Sequence, residues 1–506
     1  MSVDFVAVCI SILLWLVRPQ DWVAGLSGIG FMTYAMLAAV YGLYQRPGGI
    51  TKQQFTQSPT DYLVIAYLVW TIWTTGSWFE LTKAMIPFAA FYFVTALSLN
   101  TAERLNRFLA CWVIGLSVTM GLTLCSVHGF EIVAGTEDLT EQFLGRLALN
   151  TWIYNNPNSL GHGIVALISA SYVWFIWKRS GAIRLAGIAI IAGAAEVTYL
   201  TQSKGAYLCG AAAITASMIF RRRKVVQIFT LVCVMTAGVG VLKLLPRMEE
   251  LNNNEAGIAG RLMIWQMAYN AMANTKTGEG WKKFEAWIDT EDYGLIHKAT
   301  HGSYVNVGAD LGYVGLMLFV GILYCNFRTL LQAKVDPEHV DLERCQRLLL
   351  SLVVSYTASA WMIDRAYHTD YFILAGAIAA FHRLMALPAE IQLRTEQKSD
   401  QFPAVNAFQG LSAMTELKPQ LKGPTQSMSL SLNSMTLPET AFSRIRASDR
   451  VDSAGIVQKR DEENEDRLTF GLQWRHLQWI DLVSIVTLLI LVTSLWHYLM
   501  TSFISF

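Results

Sequence analysis

Residues 299–316 read ATHGSYVNVGADLGYVGL. Polar residues up to His301 give way to an apolar run rich in small residues that carries one carboxylate, Asp310. That is how a chain looks where it leaves water and enters hydrocarbon as a helix. Working outward, residues 246–310 form the one long polar excursion between apolar runs, and they hold GRLMIWQMA at 260–268 and GEGWKKF at 278–284. On both sides, apolar runs of about 20 residues alternate with short polar connections, each run long enough to cross roughly 30 Å of hydrocarbon. Of the 506 residues, 53% are hydrophobic and 15% charged, where a soluble chain has about a quarter charged. The fold class is all-α, a polytopic membrane protein.

Spans are predicted near 3–17, 25–44, 61–76, 82–99, 106–127, 157–177, 182–200, 204–220, 224–244, 303–324, 347–363 and 370–386, with a separate one at 479–501. This makes about 12 transmembrane helices plus one C-terminal helix. Alternate connections carry the basic residues: Arg46 and Lys52; Arg104 and Arg107; Lys178, Arg179 and Arg184; Arg221 to Lys224; Arg328, Lys334, Arg344 and Arg347. Positive charge in short loops marks the cytoplasmic side. The N-terminus is then cytoplasmic, and the connections at 18–22, 74–80, 128–156, 246–302 and 365–370 face outward. The organisation read from this is a membrane core at 1–387 with an outer loop at 246–302, a Ser/Thr/Gln-rich cytoplasmic linker at 388–472, and a last transmembrane segment at 473–506.

The seven cysteines lie in or beside apolar runs with no metal-site spacing, and no Walker-type glycine loop is present. No metal, cofactor or nucleic-acid partner is expected. Chemistry concentrates in the outer loop. Ile258, Leu262, Trp265, Tyr269 and Met272 recur at helical spacing, which predicts an amphipathic helix along the outer interface with Trp265 and Tyr269 at headgroup depth. Gly260-Arg261 falls in its first turn, where free N–H groups and a guanidinium favour phosphate. Lys276, Lys282, Lys283 and Lys298 add positive potential; the plainer alternative is a basic helix that binds anionic headgroups nonspecifically. His301 suits a general base toward an acceptor hydroxyl, since histidine titrates near neutral pH, or else a solvated interfacial side chain. Asp310 lies nine residues on, about 13 Å along the same helix; a carboxylate within a span either serves function or pairs with another helix. Upstream, Asn155-Asn156-Pro157-Asn158 opens the sixth span one turn before His162, and Thr201-Gln202-Ser203-Lys204-Gly205 makes a tight outward turn. Lys204 there either neutralises a phosphate or snorkels.

Taken in order, NNPNSLGHG (155–163), TQSKG (201–205), AGRLMIWQMA (259–268), GEGWKKF and HGSYVNVGADLGYVGL (301–316) resemble the O-antigen ligase superfamily. That superfamily also includes Wzy-type polymerases and protein O-oligosaccharyltransferases. RPQDW at 18–22 further resembles the exosortase-associated O-glycosylation ligase subgroup. The resemblance covers residues 150–320 well and the N-terminal third weakly. It implies a GT-C-like bundle in the bacterial inner membrane with its active loop periplasmic. The implied activity is metal-independent, inverting transfer of a glycan from undecaprenyl-diphosphate to a lipid A-core, protein or glycan acceptor. It implies that Arg261 and Lys204 engage the diphosphate and that His301 acts on the acceptor, with Asp310, Asn156, Asn158 and Lys282 in support. Three positions depart from the family pattern: Lys204 stands for arginine, Gly302 for asparagine and Asp310 for glutamate. Ligase, polymerase and protein oligosaccharyltransferase share these motifs. A transporter or flippase, the rival from another class, predicts paired charges near the midplane of two repeat halves. No such repeat is visible, and the polar residues gather at one face.

Overall fold

The computed structural model describes residues 2–23, 25–46, 50–133, 135–244, 256–284, 300–386, 471–472 and 474–504. The linker expected at 388–472 lies outside the described residues except for its last two, as do Lys298 and much of the outer loop. Helix dominates: α1 Val3–Val17, α2 Phe31–Tyr44, α3 Pro59–Thr75, α4 Trp78–Ser98, α5 Ala102–Val127, α6 Pro157–Ser171 and α7 Ala182–Thr201. Then come α8 Lys204–Ile219, α9 Lys224–Leu244, α10 Ala256–Thr275, α11 Ser303–Gln332, α12 Val340–Ser359, α13 Thr369–Ala386 and α14 Trp479–Ile504. Each predicted span overlaps a helix, that at 25–44 from Phe31 onward and that at 347–363 as far as Ser359, and among the described residues six helices are long and apolar enough to cross a membrane. A small antiparallel hairpin, β1 Thr140–Phe143 and β2 Arg146–Leu149, pairs Thr140 with Leu149.

Local chemistry sets the helix ends. Pro157 supplies a preset φ at the start of α6 while the Asn156 side chain accepts from the Asn158 N–H at 2.8 Å. Gly76 stops α3 at φ 80°, the left-handed cap that glycine adopts without a Cβ clash. Side-chain contacts then sort the connections into two groups at opposite ends of the bundle. At one end, buried Asp4 pairs with Arg46 and Arg104, Asp61 with Arg383, and Glu343 with Lys178 and Arg347. At the other, the Trp152 N–H donates to Asp21, the Trp281 N–H to Thr75 Oγ1, and Arg146 and Arg365 to the carbonyls of Thr201 and Ser159.

α11 lies at the centre, with 78% of its most apolar stretch buried, against 28% for α7 and 17% for α14. The sequence left open whether the last helix packs or hangs loose. It packs: Trp496 is fully buried, a Cβ at Gly308 would stand 2.9 Å from it, and Asp481 pairs with Arg328 and accepts from Tyr324 and Trp474.

One break in α11 organises the neighbouring loop. Gly312 sits at φ 65°, ψ −165°, outside helical geometry, and frees carbonyls that the GEGWKKF segment takes up. The Glu279 N–H donates to Ala309 O at 3.0 Å and the Gly280 N–H to Asp310 O at 2.7 Å. The Asp310 carboxylate in turn accepts from the backbone N–H groups of Lys282 (3.0 Å) and Phe284 (3.3 Å). The fit leaves no room, since a Cβ on Gly312 would lie 2.1 Å from Lys276 O and one on Gly278 2.3 Å from Asp310 O. Asp310 therefore clasps the outer loop onto the core helix. Asp310→Ala and Gly312→Ala are each expected to destabilise the fold by roughly 1–3 kcal/mol, read as earlier thermal unfolding in detergent. Unchanged melting of Asp310→Ala would return this carboxylate to the groups that act on substrate.

Candidate active site

The helix that carries Arg261 corrects two expectations. α10 begins at Ala256, so Arg261 sits in its second turn, too far along for the free N–H groups of the helix start to share an anion with it. The second concerns Trp265, which is turned into the protein core rather than outward. Ile264, Trp265, Ala268 and Met272 form a buried stripe packed on α11 and α14, because a helix with apolar residues every three to four positions gains more by joining the core. Tyr269 meets Trp496 edge-on at 5.5 Å, and Arg261 is half-buried.

From this stripe the geometry leads to His301. The Trp265 indole N–H donates to Thr300 O at 2.8 Å, so α10 grips the chain one residue before the histidine. His301 itself is half-buried at φ 47°, a left-handed conformation that costs a non-glycine residue about 1 kcal/mol or more. Beyond it, the Ser303 N–H donates to Ala360 O (2.7 Å), Ser303 Oγ donates to Ile363 O (2.9 Å), and the Arg365 N–H donates back to Ser303 Oγ (2.9 Å). The turn between α12 and α13 thus closes over the start of α11, and the Asn306 amide donates to Asp364 at 2.6 Å.

A third wall comes from α6 and α8. His162, buried, shares a hydrogen bond with Ser359 Oγ at 2.8 Å. A Cβ on Gly205 would stand 2.8 Å from His162 Nε2, so the turn bearing Lys204 rests on this imidazole with only a glycine's thickness between them. Arg261 and Arg365 both lie within electrostatic reach of His162. His162 is therefore where the Lys204 turn and the 359–365 turn meet, with the Arg261 charge in electrostatic reach, while Ser303 ties the His301 segment to the same 359–365 turn. Asn158 accepts from Arg146 (2.8 Å) and from Ser203 Oγ (3.1 Å). Asn156 and Asn158 shape the neighbouring turns by these bonds, and Arg146 brings a further guanidinium to the Lys204 turn.

Lys282 is positioned through its backbone on Asp310, with its ammonium 4.9 Å from the Trp281 ring centroid. Its charge bears on His368, which burial holds at a pKa of about 4, Asp370 opposing and Arg365 and Lys282 reinforcing. Burial, with Asp310 next, holds the Tyr367 phenol protonated well above its ordinary range. The assembly therefore gathers guanidinium and ammonium groups around imidazoles and phenols, an environment suited to a multiply charged anion.

A family model described as Wzy_C, O-antigen ligase, matches residues 194–320. That stretch of the chain is similar to the O-antigen ligase family. No curated protein matches the chain. The matched region holds Lys204, Arg261, Lys282, His301 and Asp310, and ends within α11. His162, Asp364 and Arg365 lie outside it. The family comprises glycosyltransferase-like ligases and polymerases of the bacterial inner membrane that act on lipid-linked glycans.

Proposed function

We propose that this chain transfers a glycan from undecaprenyl-diphosphate to an acceptor on the outer face of the membrane, by a ligase-type, metal-independent, inverting reaction on a GT-C-like bundle. The observations that support the reading are the meeting of the Lys204 turn and the 359–365 turn at buried His162, the charges of Arg261 and Arg365 within its electrostatic reach, and the bonds of Ser303 that tie the His301 segment to that same turn. In the reaction the acceptor hydroxyl oxygen attacks the anomeric carbon from the side opposite the diphosphate, which inverts that carbon. The bond from the anomeric carbon to the phosphate oxygen breaks, and its electron pair leaves with the diphosphate. Arg261 and Lys204 stabilise the charge that develops there, and His301 takes the hydroxyl proton. With cations already present for the phosphates, the transfer needs no metal. The apolar helices flanking the site suit a polyprenyl tail in the surrounding lipid.

Polymerase and protein O-oligosaccharyltransferase are the alternatives within the family, and they differ in acceptor alone. Deleting the gene and analysing the cell envelope separates them. The expected result is loss of polysaccharide from the lipid A-core with chain assembly intact. Loss of chain length would instead indicate polymerisation, and loss of protein-linked glycan a protein acceptor. An envelope unchanged in all three would defeat the transferase reading.

A further inference from the structure

A cavity of about 860 Å3 opens where the RPQDW turn meets residues 150–155, lined by Arg18, Gln20, Asp21, Asn150, Trp152 and Asn155 among others. Its volume falls within the roughly 300–1,000 Å3 typical of ligand clefts, and the transfer chemistry uses none of these six residues. Trp152 is its distinctive element. The ring lies parallel to His368 (5.8 Å, 17°), meets Trp15 edge-on at 6.2 Å and has the Arg18 guanidinium 5.3 Å from its centroid. Its backbone N–H donates to Asp21 at 2.8 Å, and Asp21 is itself clamped by Arg18. An indole fixed by four neighbours and still 62% exposed is a preformed platform, because an unheld aromatic would fold inward to bury its area.

Around this ring stand planar amide and carboxylate groups. The Gln20 side-chain oxygen is buried without a hydrogen-bond partner among the described residues, a deficit that a ligand hydroxyl would satisfy. Asn155 is exposed in the same cavity. An apolar platform ringed by side chains that both donate and accept matches a pyranose, which has a C–H face and an equatorial belt of hydroxyls. A phosphate would call for more unpaired cations than this cavity offers, since Arg18 is already engaged with Asp21. Trp15 also lines a narrower cleft of about 70 Å3 together with His162, Arg365, His368 and Asp370, so the cavity adjoins the candidate active site.

We propose that this cavity is a sugar-binding subsite, holding pyranose units of the donor glycan or of an acceptor glycan beside the transfer site. The proposal rests on the transferase reading for its purpose, while the binding it asserts is tested separately. Two probes serve with the full-length protein in detergent: the water-soluble glycan released from the lipid carrier by mild acid, and the core oligosaccharide released from lipid A. Saturation-transfer NMR and calorimetry are expected to show binding of at least one. Trp152→Ala should weaken it about tenfold and Asn155→Ala about threefold, while Trp152→Tyr keeps most of it. Weakening confined to the first glycan assigns the subsite to the donor, and confined to the second, to the acceptor. Binding of neither glycan by the native protein, or full binding by folded Trp152→Ala and Asn155→Ala, overturns the proposal. Inorganic pyrophosphate is the separating probe: its binding should survive Trp152→Ala and fall with Arg261→Ala. Pyrophosphate binding retained in Arg261→Ala, alongside glycan binding lost in Trp152→Ala, would remove the phosphate site and leave the sugar subsite standing.

Discussion

Arg261→Ala is expected to lower glycan transfer by about 10²–10³-fold, the loss seen when one donor to a developing oxyanion is removed, with abundance in the membrane unchanged. The two halves of this expectation have separate grounds. Abundance holds because the fold uses other residues of α10: Ile264, Trp265, Ala268 and Met272 make the buried stripe, and Trp265 carries the bond to Thr300. Activity falls because the guanidinium works in a half-buried setting, where a charge acts more strongly than in water. Arg261→Lys should restore part of the rate, keeping the charge and losing the two-pronged grip on phosphate. Transfer from purified lipid-linked donor, measured as kcat and KM in the same membranes, checks both. Native activity in Arg261→Ala would remove this residue from the diphosphate and the central assignment with it.

The helical membrane bundle was legible in the sequence because hydrocarbon imposes a length and a polarity on every span. The site was legible in part. Arg261 and His301 stood out as a cation and an imidazole in the long polar loop, the pattern that also carries the family resemblance. Arg365 and Asp364 were passed over because they belong to a short turn more than 60 residues beyond His301 in the chain, and only tertiary contact shows that Ser303 bonds that turn on both sides. A signal was present, since an adjacent acid and base in a short outward turn is a poor loop filler, but it had been used only for topology. Asp310 shows the reverse limit. A carboxylate within a span serves function or pairs with another helix, and its contacts include the backbone N–H groups of Lys282 and Phe284, donors that leave no mark in side-chain identity. The start of α10 was misread for a related reason. Gly260-Arg261 looks like a helix start, but Ala256 to Ala259 carry the helix further upstream.

His301→Ala should leave donor binding intact and reduce turnover by about 10²–10⁴-fold, the usual contribution of a positioned acid–base group. The reasoning turns on where this histidine sits. Its neighbours Thr300 and Ser303 are fixed by Trp265 and by the 360–365 turn, so the backbone geometry survives loss of the imidazole. Its φ of 47° also makes glycine the residue best suited to that backbone. His301→Gly is thus the informative control, since it relieves the local strain and should melt no earlier than the native protein while remaining inactive. A histidine at a left-handed position that glycine would occupy without strain is consistent with a task for the ring. The task proposed is to take the proton of the acceptor hydroxyl as its oxygen bonds to the anomeric carbon, a step that the diphosphate does not share. Donor affinity should accordingly be the same in native protein, His301→Ala and His301→Gly, with only the rate at saturating donor falling. Collapse of donor affinity in both variants would move His301 to the phosphate side of the site and leave the acceptor without a base.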